Sequence, residues 1–276
     1  MSQSNAKQTF LLWFLAVFIT LASVYYQRTT GPTRPVRGKV EIGEETIKYK
    51  LIRSHDVSGD AYIRIKSPDS TIVGMLEYKR LNSNDPWSTQ LSSIELASYK
   101  ANEITFHIPV QPAAGKVLYK VTLMDGLGKE YPLNEEPVII RFKGAVPLYV
   151  LLPHILFMFI SMLLGTRCAV DAIAKRDNAY SMALWTTILL FMGGLILGPI
   201  VQKFAFDAYW TGWPFGGDLT DNKTAFTFIF WIIALWRGKE QGKGTKWFVI
   251  AAVVQLAVYL IPHSMFGSEL DYTNMQ

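Results

Sequence analysis

The distribution of hydrophobic and polar residues divides the chain into three parts. Long apolar runs lie near the N-terminus and from Ala145 onward, whereas the stretch from Gly31 to Arg141 is charged and largely alternating. A helix of about 20 apolar residues is long enough to cross a bilayer. We therefore predict an N-terminal transmembrane signal anchor at residues 1–30, an extracytoplasmic β-domain at 31–144 and a four-helix transmembrane domain at 145–276.

Five segments reach or approach the length of a membrane span. They are Phe10–Tyr26, Ala145–Gly165, Ser181–Val201, Leu219–Trp236 and Trp247–Ile261. The first of them resembles a signal peptide in position, but few positive charges precede it and its small-residue cleavage signal is weak. This pattern favours an uncleaved signal anchor.

Basic residues predict the orientation of these spans. Two short loops are rich in lysine and arginine, and such loops stay on the cytoplasmic side. Their basic residues are Arg167, Lys175, Arg176, Arg237, Lys239, Lys243 and Lys246. We predict a multi-pass protein of the bacterial inner membrane, with a cytoplasmic N-terminus and a periplasmic β-domain and C-terminus.

The predicted outer domain has the period-two pattern of β-strands. The clearest segments are "TIKYKLIR", "AYIRIK", "TIVGMLEYK", "EITFHIPV", "KVLYKVTLM" and "PVIIRFK", separated by turn residues. Such short strands, with no convincing helical window between them, predict an antiparallel β-sandwich of the immunoglobulin-like kind. In "EITFHIPV" the inward set is Ile104, Phe106 and Ile108, which places His107 on the surface.

An unusual polar cluster stands where the fourth span begins, in "AYWTGWPFGGDLTDNKTAFTFIFW". Counting back from Arg237 places the start of the helix near Leu219, with Asp218 or Thr220 as its N-cap. Lys223 is expected to pair with Asp221 or to extend towards the headgroups. A turn and a helix cap explain much of this cluster, and a functional site is the alternative interpretation.

Histidines add to the functional interpretation. His154 lies within the second span, directly after Pro153, and His263 follows the fifth span. A histidine inside a membrane helix usually faces a partner or a cavity. The candidate ligand-binding residues, all predicted to lie on the outer side, are His154, Asp207, Trp210, Trp213, Asp218, Asp221, Asn222, Lys223 and His263.

Several ligands suit this set of side chains. Two histidines on different helices can be the axial ligands of haem b. His154 and His263, together with Asp218 or Asp221, could instead hold a metal ion, although no HExxH or similar spacing supports this. Aromatic residues with a polar rim could also bind a lipid headgroup, a quinone or a peptide.

Other features of the sequence narrow the class of function. The chain has no GxSxG, Walker or GxGxxG motif, and its single cysteine, Cys168, excludes an intrachain disulfide. The net charge of +5 comes largely from loops beside apolar segments and gives no evidence for nucleic acid. We predict a non-enzymatic membrane subunit that binds an extracytoplasmic or membrane protein partner, besides the lipid bilayer. A redox subunit that binds haem b or quinone through His154 and His263 is the alternative, and a metal-dependent enzyme at the outer interface is the third.

Overall fold

The computed structural model describes residues 3–67, 69–92, 94–95, 103–239, 244–262 and 269–273. The fold is a mixture of helices and β-sheets, and the chain divides into two compact units. We call them the helical unit, which comprises Met1–Pro32, Val146–Phe204 and Ala208–Ser268, and the β unit, which comprises Thr33–Ala145, Ala205–Asp207 and Glu269–Gln276. Two short segments from the C-terminal half, Ala205–Asp207 and Glu269–Gln276, belong to the β unit.

The helical unit consists of α-helices and one π-helical segment. In chain order the described elements are α1 Gln3–Thr30, α2 Leu148–Ile173, α3 Ala179–Leu190, the π-helical segment Phe191–Leu197, α4 Gly198–Phe206, α5 Leu219–Gly238 and α6 Gly244–Leu260. The third predicted span is thus one long helix whose middle is π-helical. The fourth and fifth predicted spans are also helical, and α5 begins at the predicted residue.

Three helices of the described residues are long and apolar enough to cross a membrane, namely Ala6–Thr30, Leu148–Ile173 and Ala179–Phe206. The apolar helix α6, at 17 residues, is shorter. Helix α5 has 20 residues but carries Asp221 and Lys223 near its start. Length and composition therefore indicate a membrane protein, on the basis of three of the five predicted spans.

The β unit contains three sheets in its described residues. The strands are β1 Val36–Ile42, β2 Glu45–Leu51, β3 Ser54–Asp56, β4 Ala61–Lys66, β5 Val73–Arg80, β6 Ser88–Ser92, β7 Ile94–Glu95, β8 Glu103–Ile108, β9 Lys116–Met124, β10 Glu130–Pro132 and β11 Val138–Lys143. Strands β1 and β2 form one sheet, β4, β8 and β7 form another, and the largest has the order β3-β11-β9-β5-β6, with β10 also paired to β9. Every predicted strand is present, and β11 pairs with β3 in parallel.

One apolar core is shared by residues of all three sheets. Ile104, Phe106 and Ile108 are fully buried and His107 is exposed, which confirms the predicted facing of β8. Gly74 on β5 makes room for the ring of Phe106, because an added Cβ would lie 2.4 Å from its Cζ. Burial of such large side chains is the main force that holds sheets together.

Candidate functional site

The helix α5 begins with a cap that the sequence predicts. Asp218 is the N-cap residue, and its Oδ1 accepts a hydrogen bond of 2.7 Å from the backbone N–H of Thr220. Its second oxygen accepts a bond of 3.0 Å from the hydroxyl of Thr211. The first turn of a helix has free N–H groups and a positive partial charge, so a carboxylate is favourable there. Asp218 therefore joins the start of α5 to the loop that precedes it.

Asp221 organises the same loop through a single oxygen atom. Its Oδ2 accepts hydrogen bonds from the backbone N–H groups of Thr211, at 2.7 Å, and Gly212, at 3.0 Å. It also accepts one of 3.1 Å from Nε2 of Gln202 on α4. Gly212 is required for this approach, since a Cβ there would lie 2.6 Å from the Cβ of Asp221. The carboxylate is buried and fixes the loop between α4 and α5.

Asn222 and Trp210 hold the next part of the loop. Oδ1 of Asn222 accepts a hydrogen bond of 2.6 Å from the N–H of Trp213, and the indole N–H of Trp210 donates to the carbonyl of Trp213 at 3.1 Å. The backbone of Trp213 is thus bonded on both sides, while its side chain is 78% exposed. Phe215 is 82% exposed and Tyr209 61%. A fixed backbone with exposed aromatic side chains is the result.

Lys223 does not make the predicted contacts. Its side chain is buried, and its ammonium group donates a hydrogen bond of 2.8 Å to the carbonyl of Ile261, just after the end of α6. Residues two apart on a helix point to different sides, so Lys223 and Asp221 do not face each other. The prediction of a pair with Asp221, or of an extended lysine, is wrong. Lys223 instead ties α5 to the C-terminal end of α6, where free carbonyls need donors.

His154 lies beside the π-helical segment. Its Nδ1 is 2.9 Å from the carbonyl oxygen of Gly193, which also accepts the backbone N–H of Gly198. A carbonyl can only accept, so the proton is on Nδ1 and Nε2 keeps its lone pair. This is the arrangement by which backbone carbonyls orient ligating histidines. Pro153 lies within α2 without ending the helix.

The structure brings only part of the predicted set together. Asp218 at the N-cap of α5, and Asp221 and Asn222 in its first turn, are hydrogen-bonded to the loop that carries Trp210 and Trp213. Asp207 is exposed and belongs to the β unit, and His263 lies outside the described residues. Among the residues that the structure describes, no three His, Cys, Asp or Glu side chains form a group that could hold a metal. His154 therefore does not complete a metal cluster with the two aspartates, and its predicted partnership with His263 stays a prediction.

A buried polar chain that the sequence did not reveal joins four helices. The indole N–H of Trp231 donates to Oε1 of Gln255 at 3.0 Å, and Nε2 of Gln255 contacts the hydroxyl of Ser161 at 3.2 Å. That hydroxyl donates to the carbonyl of Thr186 at 3.0 Å. Gly165 makes room for the chain, because an added Cβ would lie 2.3 Å from Oε1 of Gln255. Gln255 inside an otherwise apolar run was the one available signal.

An ion pair is buried near the opposite end of α2. Arg167 and Asp171, predicted to begin a cytoplasmic loop, lie on the helix itself and are 2% and 0% exposed. The guanidinium donates to both carboxylate oxygens, at 2.9 and 2.8 Å. It also lies 4.6 Å from the ring centre of Trp13 and 3.4 Å from the carbonyl of Thr9, both on α1. Assigning Arg167 to a loop is therefore wrong, since it lies within α2.

Comparison with known proteins adds no relative. No protein-family model, curated protein or solved structure matches the chain.

Proposed function

We propose that this chain is a non-enzymatic, multi-pass membrane subunit that binds a protein partner through its extracytoplasmic face. The observation that carries the proposal is that the polar side chains at the start of α5 are engaged in hydrogen bonds to the loop between α4 and α5. Asp218, Asp221 and Asn222 accept hydrogen bonds that hold the loop, and the aromatic side chains of Tyr209, Trp213 and Phe215 are exposed on its surface. Large aromatic side chains on a rigid support are typical anchors of protein interfaces.

The division of the chain into units supports the proposed orientation. Helix α1 ends at Thr30, directly before the β unit, and α2 follows it. The end of α4 at Ala205–Asp207 and the tail from Glu269 also belong to the β unit. We propose five crossings, with a cytoplasmic N-terminus. In the proposed bacterial inner membrane, the basic loops are cytoplasmic and the β unit, an immunoglobulin-like sandwich, is periplasmic.

Contacts along α1 support its retention as a signal anchor. Near its C-terminal end, Nε2 of Gln27 donates a hydrogen bond of 3.0 Å to the carbonyl of Tyr259 on α6. Near its N-terminal end, Thr9 and Trp13 contact Arg167 on α2. Cleavage of α1 would remove both sets of contacts and uncover a buried charge. In this proposal α1 packs permanently against the four-helix domain.

The partner is tested by cross-linking from the loop. A photoreactive benzoylphenylalanine at Trp213 in living cells is expected to give a protein adduct of discrete size. The same residue at Leu127, which is 96% exposed in a turn of the β unit, is the control for non-specific capture. Adducts with lipid alone at position 213 would contradict the proposal, since tryptophan also anchors proteins at the bilayer surface.

A redox subunit is the second candidate function, and the geometry of His154 favours it. The fixed Nδ1 proton leaves Nε2 available as a ligand to haem b, or as an acceptor for a quinol hydroxyl. Protein purified in mild detergent would then show a reduced-minus-oxidised haem spectrum. Replacement of His154 with alanine should abolish that spectrum, and replacement of the exposed His107 should preserve it. A spectrum without haem bands, with no quinone in the extract, would exclude this candidate.

A further inference from the structure

The C-terminal tail of the chain is bound to the β unit. The backbone N–H of Tyr272 donates a hydrogen bond of 2.8 Å to the carbonyl of Asn82, and its hydroxyl donates to Oε1 of Gln111 at 3.2 Å. The guanidinium of Arg80 lies 4.6 Å from the centre of the tyrosine ring. Tyr272 is only 5% exposed, although the described residues around it, 269–273, form neither a helix nor a strand. A specific binding site encloses this side chain.

The surface that receives the tyrosine is shaped for it. A Cβ at Gly115 would lie 2.5 Å from the tyrosine oxygen, 2.7 Å from the Cβ of Gln111 and 2.8 Å from the carbonyl oxygen of Pro112, so glycine makes room for both the hydroxyl and the local turn. Arg80 is held by two hydrogen bonds to Asp85, of 2.6 and 2.9 Å, which fix the guanidinium independently of the tail. A cation fixed over an aromatic ring is attracted to its face. The recognition elements lie within residues 80–115 and are held in place without the tail.

Backbone strain is concentrated at the same place. Asn82 has a φ of 52° and Ala114 a φ of 69°, in the left-handed region that alanine rarely occupies. Asn82 supplies the carbonyl that accepts from Tyr272, and Ala114 directly precedes Gly115. Strained backbone of this kind persists where the surrounding structure fixes it, and it often lies at binding sites.

An acidic residue of the tail is recognised three positions earlier. Glu269 forms a salt bridge with the ammonium group of Lys116 and accepts a hydrogen bond of 3.0 Å from Nδ2 of Asn82. Lys116 and Arg141 are buried and lie directly opposite each other on β9 and β11. Like charges in such a position repel, and the carboxylate offsets that repulsion. The cleft therefore combines an anion-binding position with the adjacent binding position for the tyrosine ring.

We propose that this surface, the tail cleft formed by Arg80, Asn82, Gln111, Gly115 and Lys116, is a peptide-recognition site. Its ligand is an extended segment of a partner protein with a carboxylate three residues before a tyrosine. The chain's own Glu269–Thr273 occupies the cleft and shows which chemistry is recognised. A partner segment binds by displacing this tail. A tethered ligand has an effective concentration of about 1 mM, so the cleft is closed to weak external ligands while the tail is bound.

The test uses the full-length protein in mild detergent and a fluorescent copy of residues 269–273, Glu-Leu-Asp-Tyr-Thr. Replacement of Tyr272 with alanine empties the cleft, and anisotropy should show the peptide binding at least about tenfold more tightly than to the wild type. Adding Gly115→Val should abolish this binding. Adding Gly126→Ala, where a Cβ would make ordinary contact at 3.4 Å, should preserve it. A peptide with alanine in place of tyrosine should not bind.

Two results would overturn the proposal. One is a failure of the emptied cleft to bind the peptide, and the other is equal binding of the peptide without its tyrosine. A second measurement needs no emptied cleft. Hydrogen exchange at the amide of Tyr272, which is bonded to Asn82, should be at least about tenfold faster in Gly115→Ala than in the wild type. Unchanged protection of the Tyr272 amide from exchange would show that the cleft does not recognise the tyrosine side chain.

The pH dependence of peptide binding tests the acidic position. Burial by itself would raise the pKa of Glu269, but the hydrogen bonds from Lys116 and Asn82, helped by the charges of Lys116 and Arg141, hold it below its ordinary value of 4.5. A lowered pKa strengthens binding above the ordinary pKa, and this gain is lost as the pH falls. Affinity should therefore decrease below about pH 4.5. A peptide with glutamine at this position should lack that decrease, and identical profiles would contradict the role of Glu269.

Discussion

Replacing Asp171 with leucine is expected to lower the free energy of unfolding of the helical unit by about 3–5 kcal/mol. The change leaves the guanidinium of Arg167 buried without its carboxylate. A buried charge that loses its partner cannot regain its hydration, and this makes the single change so costly. The remaining contacts of Arg167 with Thr9 and Trp13 on α1 do not supply a negative charge.

Cys168 provides the measurement. It is the single cysteine of the chain, it directly follows Arg167, and it is fully buried. Its alkylation requires local or global opening, so the rate under native conditions follows the population of open molecules. A loss of about 3–5 kcal/mol corresponds to an increase of roughly 150- to 4,000-fold in that rate, as long as reclosing is faster than alkylation.

Two variants distinguish the effect of leaving Arg167 unpaired from the effect of removing any carboxylate. The double replacement Arg167→Met with Asp171→Leu removes both charges, and it should be alkylated much more slowly than the single variant. Asp177→Leu changes an exposed aspartate shortly after α2 and should leave the rate close to that of the wild type. Equal rates in the single and double variants would show that the unpaired arginine is not the cause.

Replacing Asp221 with leucine is expected to destabilise the loop between α4 and α5 by about 3 kcal/mol. The change removes the one oxygen that accepts from Thr211, Gly212 and Gln202. Hydrogen exchange at the amides of Thr211 and Gly212 should then become about a hundredfold faster. Cross-linking from Trp213 should fall with it, because the aromatic side chains lose their fixed support.

The variant Asp221→Asn is the matched control. Asparagine has the same shape and retains one carbonyl oxygen, which can occupy the position of Oδ2. Exchange at Thr211 and Gly212 should therefore stay much closer to the wild-type rate than in the leucine variant. If both variants behaved alike, the negative charge rather than the acceptor atom would determine the loop.

Local patterns predict much of the fold correctly. The alternation in β8 places Ile104, Phe106 and Ile108 inside, and the helix-capping preference of Asp218 together with the length of a span predicts where α5 begins. Both depend only on residues close in sequence. The strand β1 was not predicted, because Gly38 interrupts its alternating pattern. Glycine is required at this position because Tyr49 lies opposite on β2, and its hydroxyl oxygen would be 2.2 Å from an added Cβ.

The candidate site was predictable in part for the same reason. Asp218, Asp221 and Asn222 are close neighbours of the loop that they hold, so one stretch of sequence contains the whole arrangement. Lys223 was assigned the wrong contact because its acceptor, Ile261, is distant in sequence. The salt bridge of Glu269 with Lys116 also joins residues that are distant in sequence, and no periodic pattern of hydrophobic residues predicts such a pair.

The salt bridge between Glu269 and Lys116 closes a long loop of the polypeptide. Lys116 and Glu269 are 153 positions apart, and the segment between them contains helices α2 to α6. Joining the ends of so long a free chain costs roughly 4–5 kcal/mol of entropy. The contacts of Glu269 and Tyr272 with the β unit have to offset an entropic cost of this size whenever the segment between Lys116 and Glu269 is unfolded.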